Sequence, residues 1–266
     1  MSYEYFPGFY DRLMDSELYD EWLEFTAHFI GDTPKKILDL ACGTAEFALR
    51  LSFSGHQVTG VDLSKEMVAV AKEKVAAAEI NLPIIEQDMS KLALKQTFDV
   101  VTCFCDSLNY LETEQALEAT IQAVSVHLEP NGLFLFDVHS VFKVDQGFKD
   151  YSYGDSDEEI STIWNSFPGE HPHSVEHELT FYILDEDDTY NRVDELHKER
   201  TYPIATYENI LKNMVLRKLI FMPILVMKNP IIRAKESFSQ QESNFSLLLS
   251  FFCCDFHLKL SKRNLS

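Results

Sequence analysis

The chain has 266 residues, 45% of them apolar and 25% charged, the balance of a soluble globular protein with one large core. Its formal net charge of −20 excludes nucleic acid as the main partner, because phosphate binding needs clustered lysine and arginine. Five cysteines, an odd number without paired metal-ligand spacing, exclude a disulfide framework and fit a reducing cytoplasm.

The first residues, MSYEYFPGFYDRLMDSELYDEW, mix acids and aromatics and have no basic-then-apolar leader pattern. No window reaches 18 uncharged apolar residues, so no membrane span is expected. Residues 3–30 are expected as one helix: Tyr10, Leu13, Met14, Leu18, Trp22, Phe25 and Phe29 recur at spacings of three and four, and Thr33-Pro34 breaks the pattern. From Lys36, short apolar runs alternate with helical stretches. KILDLA, QVTGVDL, PIIEQDM, FDVVTCF and GLFLFDV read as strands, and 45–53, 64–78 and 113–128 as helices. That alternation gives βαβ units and a mostly parallel sheet covered by helices on both faces. Residues 145–160 are acidic and polar and read as a linker. HSVEHELTFYIL, the acidic turn DEDDTYN and RVDELHKERTY then read as an antiparallel β insertion. Pro203 ends it, and 206–212 reads as a short helix.

The organisation expected is therefore an N-terminal helical segment (1–35), an α/β core (36–144), an antiparallel insertion (145–205), a return helix (206–213) and an atypical tail (214–266). The fold class is α/β, a doubly wound sheet with an antiparallel insertion.

The stretch ILDLACGTAEFALRL joins a strand to a helix through small residues, Ala41-Cys42-Gly43-Thr44-Ala45. In open α/β sheets, ligands bind outside the carboxyl ends of the strands, and small residues let the backbone approach them. As a dinucleotide motif of the G-x-G-x-x-G type the match is poor, since Gly43 is its sole glycine. Three acids add weight. Asp39 sits near the end of the first strand, where a buried carboxylate needs a partner such as a cationic amine. Asp62 closes the second strand, where an acid accepts from ribose hydroxyls. Asp88 follows the third, where it can accept from an exocyclic amine beside the apolar Met89. Each acid alone is as well explained as a cap or a turn partner; three at the ends of three successive strands are not.

Those segments, with VTGVDLSKEMVAVAKEK, IIEQDMSKL, FDVVTCFCDSLNYL and LEPNGLFLFDVHS, resemble the class I S-adenosylmethionine-dependent methyltransferases over roughly 37–140. With YDRLMDSELYDEW before them and a histidine- and acid-rich β insertion after them, the chain looks like a small-molecule subgroup with a β-sheet cover. The resemblance implies a Rossmann-like core that binds S-adenosyl-L-methionine. The Asp39-to-Ala45 turn, with Ala41, Cys42 and Gly43, would hold the methionine portion, Asp62 the ribose, and Asp88 and Met89 the adenine, and Leu63 would also contact the cofactor. Cys105 and Asp106 would line the floor near the sulfonium, and Tyr10 would close over it. Ala45 stands where the family usually has glycine; its extra methyl is a possible source of crowding, but alanine is small enough that binding of the cofactor is still expected.

What the resemblance implies in activity is in-line methyl transfer to an N or O atom of a small-molecule acceptor, in the cytoplasm, with a homodimer allowed for. A non-catalytic cofactor-binding or inactive relative, and an NAD(P)-dependent oxidoreductase, are the alternatives. Tyr10, His139, His197 and Arg200 are the catalytic candidates, and Asn109, Tyr110, Trp164 and His177 further residues to hold the acceptor. No metal ligand set is expected. Val175, His177 and Leu179 share one strand face, whereas His197 and Arg200 fall on opposite faces of an ideal strand.

The charge balance reverses in the tail. Residues 214–266 hold eight Lys+Arg and three Asp+Glu, against 15 and 40 before them. The tail has no clean strand or helix period, where the resemblance calls for an aGF-type turn and two closing antiparallel strands. Back-translated with free codon choice and read two nucleotides later, it yields GFTKVDFYADFGDEKPNYSSERIVFAA. The hypothesis is a one-nucleotide frameshift near Asn213–Met214, which would leave the C-terminal strands lost or altered; a divergent natural tail is the alternative.

Overall fold

A computed structural model describes residues 6–185, 187–213, 220–224 and 248–249. The segment expected as one helix is two, α1 (Phe6–Leu13) and α2 (Ser16–Ile30). The break is chemical: the Asp15 carboxylate accepts from the Glu17 N–H at 2.9 Å and caps α2, so the chain turns there although its apolar period runs on.

The core follows as β1 (Lys36–Leu40), α3 (Glu46–Phe53), β2 (Gln57–Asp62), α4 (Lys65–Ala77), β3 (Ile84–Glu86), β4 (Phe98–Cys103), α5 (Glu114–His127) and β5 (Leu128–His139). The strands pair in parallel, in the order β5-β4-β1-β2-β3. The chain winds outward in both directions from β1 and β4, so the sheet has its switch point between them. The run Phe98–Cys103 is buried on both faces, as its apolar sequence requires. Gly60 lies where the sheet meets the turn after β1: a Cβ on it would come within 2.8 Å of the Cys42 sulfur and of Ile84 Cδ1.

The stretch 145–160 is not a linker. A π-type turn (Lys143–Gly147) leads into β6 (Ser152–Ser156), the edge of a four-stranded antiparallel sheet completed by β7 (Ile160–Pro168), β8 (Ser174–Leu184) and β9 (Tyr190–Arg200). Asp155 stands on this exposed edge, and the other acids lie in the turns beside it, where Asp157 accepts from the Glu159 and Ile160 N–H groups at 2.8 and 2.7 Å. The inner face of this sheet carries Trp164, Val175, Leu179, Phe181 and Val193 and packs with Phe9, Leu13 and Phe148. Helix α1 is thus wedged between the two sheets.

Helix α6 (Ile204–Asn213) returns to the core, burying Tyr207, Ile210 and Leu211. Beyond it, β10 (Ile220–Ile224) pairs in parallel with β5, and β11 (Leu248–Leu249) in parallel with β10. Among the described residues no antiparallel closing pair is present. The frameshift reading otherwise bears on residues outside the described ones.

Candidate active site

The turn after β1 is built from unusual backbone. Ala41, Gly43 and Ala45 have φ of 58°, 52° and 65°. A second such pair, Cys105 (60°) and Asp106 (46°), follows β4. Left-handed non-glycine residues are costly and collect at functional sites. Here they lie at the carboxyl ends of the two strands that flank the switch point. Ala45 corrects the expectation drawn from its methyl. The residue is fully buried, in the apolar cluster with Phe47 and Ala48, and lines neither cavity at the turn. Its departure from glycine strains the backbone and takes no room from a ligand.

Asp62 organises the turn. Its carboxylate accepts from the Gly43 N–H at 2.7 Å and the Ser64 N–H at 2.8 Å, tying the ends of β1 and β2 together. Burial nevertheless raises its pKa above the ordinary value. Asp39 is buried in β1 and accepts from the Thr102 hydroxyl at 2.8 Å through Oδ1, while Oδ2 has no hydrogen-bond partner. Burial pushes its pKa up to about 7, against the opposing pull of the Thr102 bond. An orphaned, buried carboxylate oxygen beside a small-residue turn suits a cationic amino group. Asp88 caps the turn Met89–Lys91, accepting from the Ser90 N–H at 2.8 Å, and its pKa is held below the usual range mainly by the Ser90 hydroxyl. Both Asp62 and Asp88 thus do the bland work a cap would do, and both also line the cleft.

That cleft has a volume of about 600 Å³. Its walls include Ala41, Gly43, Asp62, Leu63, Asp88, Met89, Cys105 and Asp106, and Tyr10 reaches it from α1. Asp39 and Cys42 line a smaller cavity of about 40 Å³ that shares Tyr10, Ala41, Gly43 and Cys105 with it. Every residue proposed from sequence for the cofactor therefore lies on one of two adjoining cavities. A Cβ at Gly43 would meet nothing within 4 Å, so the backbone is open to an approaching ligand there. Acids at three strand ends, an apolar Met89 and an open Gly43 backbone fit a long, polar-ended cofactor such as S-adenosylmethionine.

Helix α1 is latched over this turn. Thr44 Oγ1 donates to Asp11 Oδ1 at 2.5 Å, and Lys74 Nζ holds Asp11 at 2.8 Å and Glu46 at 2.7 Å. The latch sets Tyr10, whose hydroxyl lies 3.5 Å from the Cys105 sulfur.

Toward the antiparallel sheet the cleft narrows to a chamber of about 20 Å³, bounded by Asp106, Tyr110, His139, His177, His197 and Glu199 among others. Asp106, Tyr110 and His197 line both spaces. His197 Nδ1 is 2.8 Å from the Tyr110 hydroxyl. His177 has a fixed tautomer: the Trp164 N–H, which can only donate, bonds its Nδ1 at 3.0 Å, so the ring proton is on Nε2. Burial lowers the His177 pKa to about 3, and the ring stays neutral. His139 sits in the chamber wall at the end of β5, where the Asn109 side chain accepts from its backbone N–H at 2.9 Å and donates to the Arg200 carbonyl at 2.9 Å. Asn109 is thus a clamp between strands.

Arg200 is the sequence candidate that the structure does not bring in. It lies on the opposite face of β9 from His197, with no bulge to turn it. Its guanidinium bonds the Glu112 carbonyl at 2.8 Å and covers the Tyr202 ring at 4.8 Å. The same alternation places Glu195 and Glu199 beside His197, buried at 6% and 5% exposure. Sequence reading missed both, although the period-two pattern Val193, Glu195, His197, Glu199 was available to find them.

Comparison with known proteins agrees with this geometry. The family model described as "Methyltransferase domain" matches residues 37–132. A protein of Geobacillus sp. (strain WCH70) named as a methyltransferase is 45% identical over 215 residues, covering 79% of this chain and 87% of that protein. One of Bacillus subtilis (strain 168), similarly named, is 42% identical over 214 residues, covering 80% and 85%. The structure of an S-adenosylmethionine-dependent methyltransferase from Clostridium acetobutylicum ATCC 824 superposes with a TM-score of 0.70 at 29% identity, over 80% of this chain and 87% of that one. With its switch-point cleft and this similarity over most of its length, the chain belongs to the class I S-adenosylmethionine-dependent methyltransferases.

Proposed function

We propose that the enzyme methylates an N or O atom of a small polar molecule seated between the cofactor cleft and the antiparallel sheet. The observation that carries this reading is the continuity of the two spaces: Asp106, Tyr110 and His197 line both the cleft and the chamber. A net charge of −20 also favours a small acceptor over nucleic acid. No described helix is long and apolar enough to cross a membrane, and Cys42, Cys103 and Cys105 are free thiols, which supports a place in the cytoplasm.

Asp39, Ala41, Cys42 and Gly43 hold the methionine end, with Asp39 Oδ2 facing the amino group. Asp62 and Leu63 hold the ribose, Asp88 and Met89 the adenine, and Cys105 and Asp106 form the floor. S-adenosylmethionine, when bound, supplies a methyl group on a positively charged sulfur. The chain's part is then positioning and exclusion of water. Tyr10 closes the cleft, and His139 and His197 bound the acceptor on the chamber side. Arg200 is dropped from the set because it faces away.

Calorimetry of the full chain with S-adenosylmethionine, S-adenosylhomocysteine and NAD tests the cofactor, and mass spectrometry of a metabolite extract incubated with methyl-labelled S-adenosylmethionine tests the acceptor. A labelled small molecule is the expected result. Labelled RNA or protein with no labelled metabolite would overturn the small-molecule reading.

A further inference from the structure

We infer that Asp106, His139 and Glu199 form a binding site for one divalent transition-metal cation of the Zn²⁺ type, at the junction of chamber and cleft. The three side chains come from three separate elements: the turn after β4, the end of β5 and the inner face of β9. All are buried, at 5%, 4% and 5% exposure, and their candidate ligand atoms lie within 4.8 Å of one another.

Two of the three spacings are those of ligands around a common centre. His139 Nε2 is 3.4 Å from Asp106 Oδ2 and 3.2 Å from Glu199 Oε2. Nitrogen and oxygen ligands at about 2.1 Å in a tetrahedron stand about 3.4 Å apart. Glu199 Oε2 has no hydrogen-bond partner, although it is buried. A buried carboxylate oxygen that makes no hydrogen bond is suited to bind a cation. The chamber these groups enclose, about 20 Å³, is the size of one ion or one water.

The neighbours fix the ligand count. His177 is not a fourth ligand, since its Nε2 carries the proton. That Nε2 lies 3.9 Å from Glu199 Oε1, beside the group but beyond hydrogen-bond distance. Three protein ligands with one open position is the arrangement of metal sites that take a substrate or water, and not of closed structural sites. The open position is on the side of Asp106, which also lines the cofactor cleft. It would receive an oxygen of the acceptor and hold it toward the cleft. That role rests on the methyl-transfer reading; binding of the ion does not.

The test is a titration of the full chain, freed of metal by a chelator, with Co²⁺ and then Zn²⁺. One Co²⁺ per chain with the intense visible absorption of a four- or five-coordinate ion, displaced by Zn²⁺, is expected. E199Q should weaken Zn²⁺ at least about tenfold, with the near-ultraviolet circular dichroism of the folded protein kept, and H171A, at an exposed histidine elsewhere, should leave it unchanged. A Co²⁺ spectrum no different from the hydrated ion overturns the proposal on the wild-type chain alone, and so does Zn²⁺ affinity unaffected by E199Q. A chain that takes up Co²⁺ in this way but binds no S-adenosylmethionine would fail the methyl-transfer reading and leave the ion site standing.

Discussion

Asp11, on the first helix, is held by Lys74, on the helix after β2, at 2.8 Å, and through Thr44 it reaches the turn that opens the cofactor cleft. Asp11 and Lys74 are partly exposed, so their attraction adds little to global stability. Their value is positional, because they set Tyr10 over Cys105. Asp11→Ala should therefore weaken S-adenosylmethionine about fivefold, roughly 1 kcal/mol, with a nearly unchanged melting temperature. Calorimetry and thermal unfolding on the same sample check this. A large fall in melting temperature with unaltered affinity would show the latch to be structural.

Asp39 predicts a pH dependence of folding with a definite sign. Its folded pKa of about 7 lies above the ordinary 3.8, so the folded chain holds this proton where the unfolded chain has lost it. The Asp39 contribution is fully present below pH 4 and is lost as pH rises toward 7, on the order of 4 kcal/mol over that window. Urea unfolding of wild type and Asp39→Asn at pH 5 and pH 7 isolates it. The mutant's advantage should grow with pH, and a constant difference would contradict the assignment.

The same group predicts the pH dependence of binding. A cationic amino group at Asp39 Oδ2 favours the ionised carboxylate, so binding below pH 7 must expel a proton. Affinity for S-adenosylmethionine should rise about five- to tenfold between pH 6 and pH 8. Asp39→Asn should bind weakly and without that slope. Proton release, measured in buffers of different ionisation enthalpy, gives a second readout.

Ala45→Gly relieves a left-handed alanine, worth roughly 1–2 kcal/mol. The greater freedom of glycine in the unfolded chain offsets about 0.4–1 kcal/mol of that. A small net stabilisation is expected, with cofactor affinity unchanged within twofold because the methyl faces the core. A tenfold gain in affinity would restore the crowding explanation.

The reversal of charge at residue 214 predicts a genetic lesion. Sequencing the locus across the codons for Asn213 and Met214 should reveal a displaced frame, and the restored chain should melt at a higher temperature. An intact open frame there would remove the idea.

The parallel core was legible because its strands are apolar runs with a small or acidic residue at or just after the end, and two of its helices carry side-chain caps, Ser64 accepting from the Met67 N–H at 3.1 Å and Thr113 from the Ala116 N–H at 3.2 Å. The cofactor acids were legible for the same reason: βα topology puts strand ends together whatever the loops do. The chamber was harder to read. Its members, Asp106, His139, His177 and Glu199, lie on four elements that meet only because a second sheet folds back over the first. Local signals misled at Asp15, where a side-chain cap outweighed an apolar period, and in 145–160, where edge-strand charge looked like a linker. Arg200 was misplaced for want of a bulge that the strand does not make.

Asp62 bridges Gly43 and Ser64 through bonds made wholly within the chain. The turn is therefore set when the protein folds, and little ordering entropy is left for the binding step. Such a site should associate at a rate governed by entry past Tyr10, show a heat capacity change no larger than the buried apolar area requires, and give nearly the same backbone amide protection with and without cofactor along residues 41–45. The carboxylate proposed for the ribose would act as a keystone first and a ligand second.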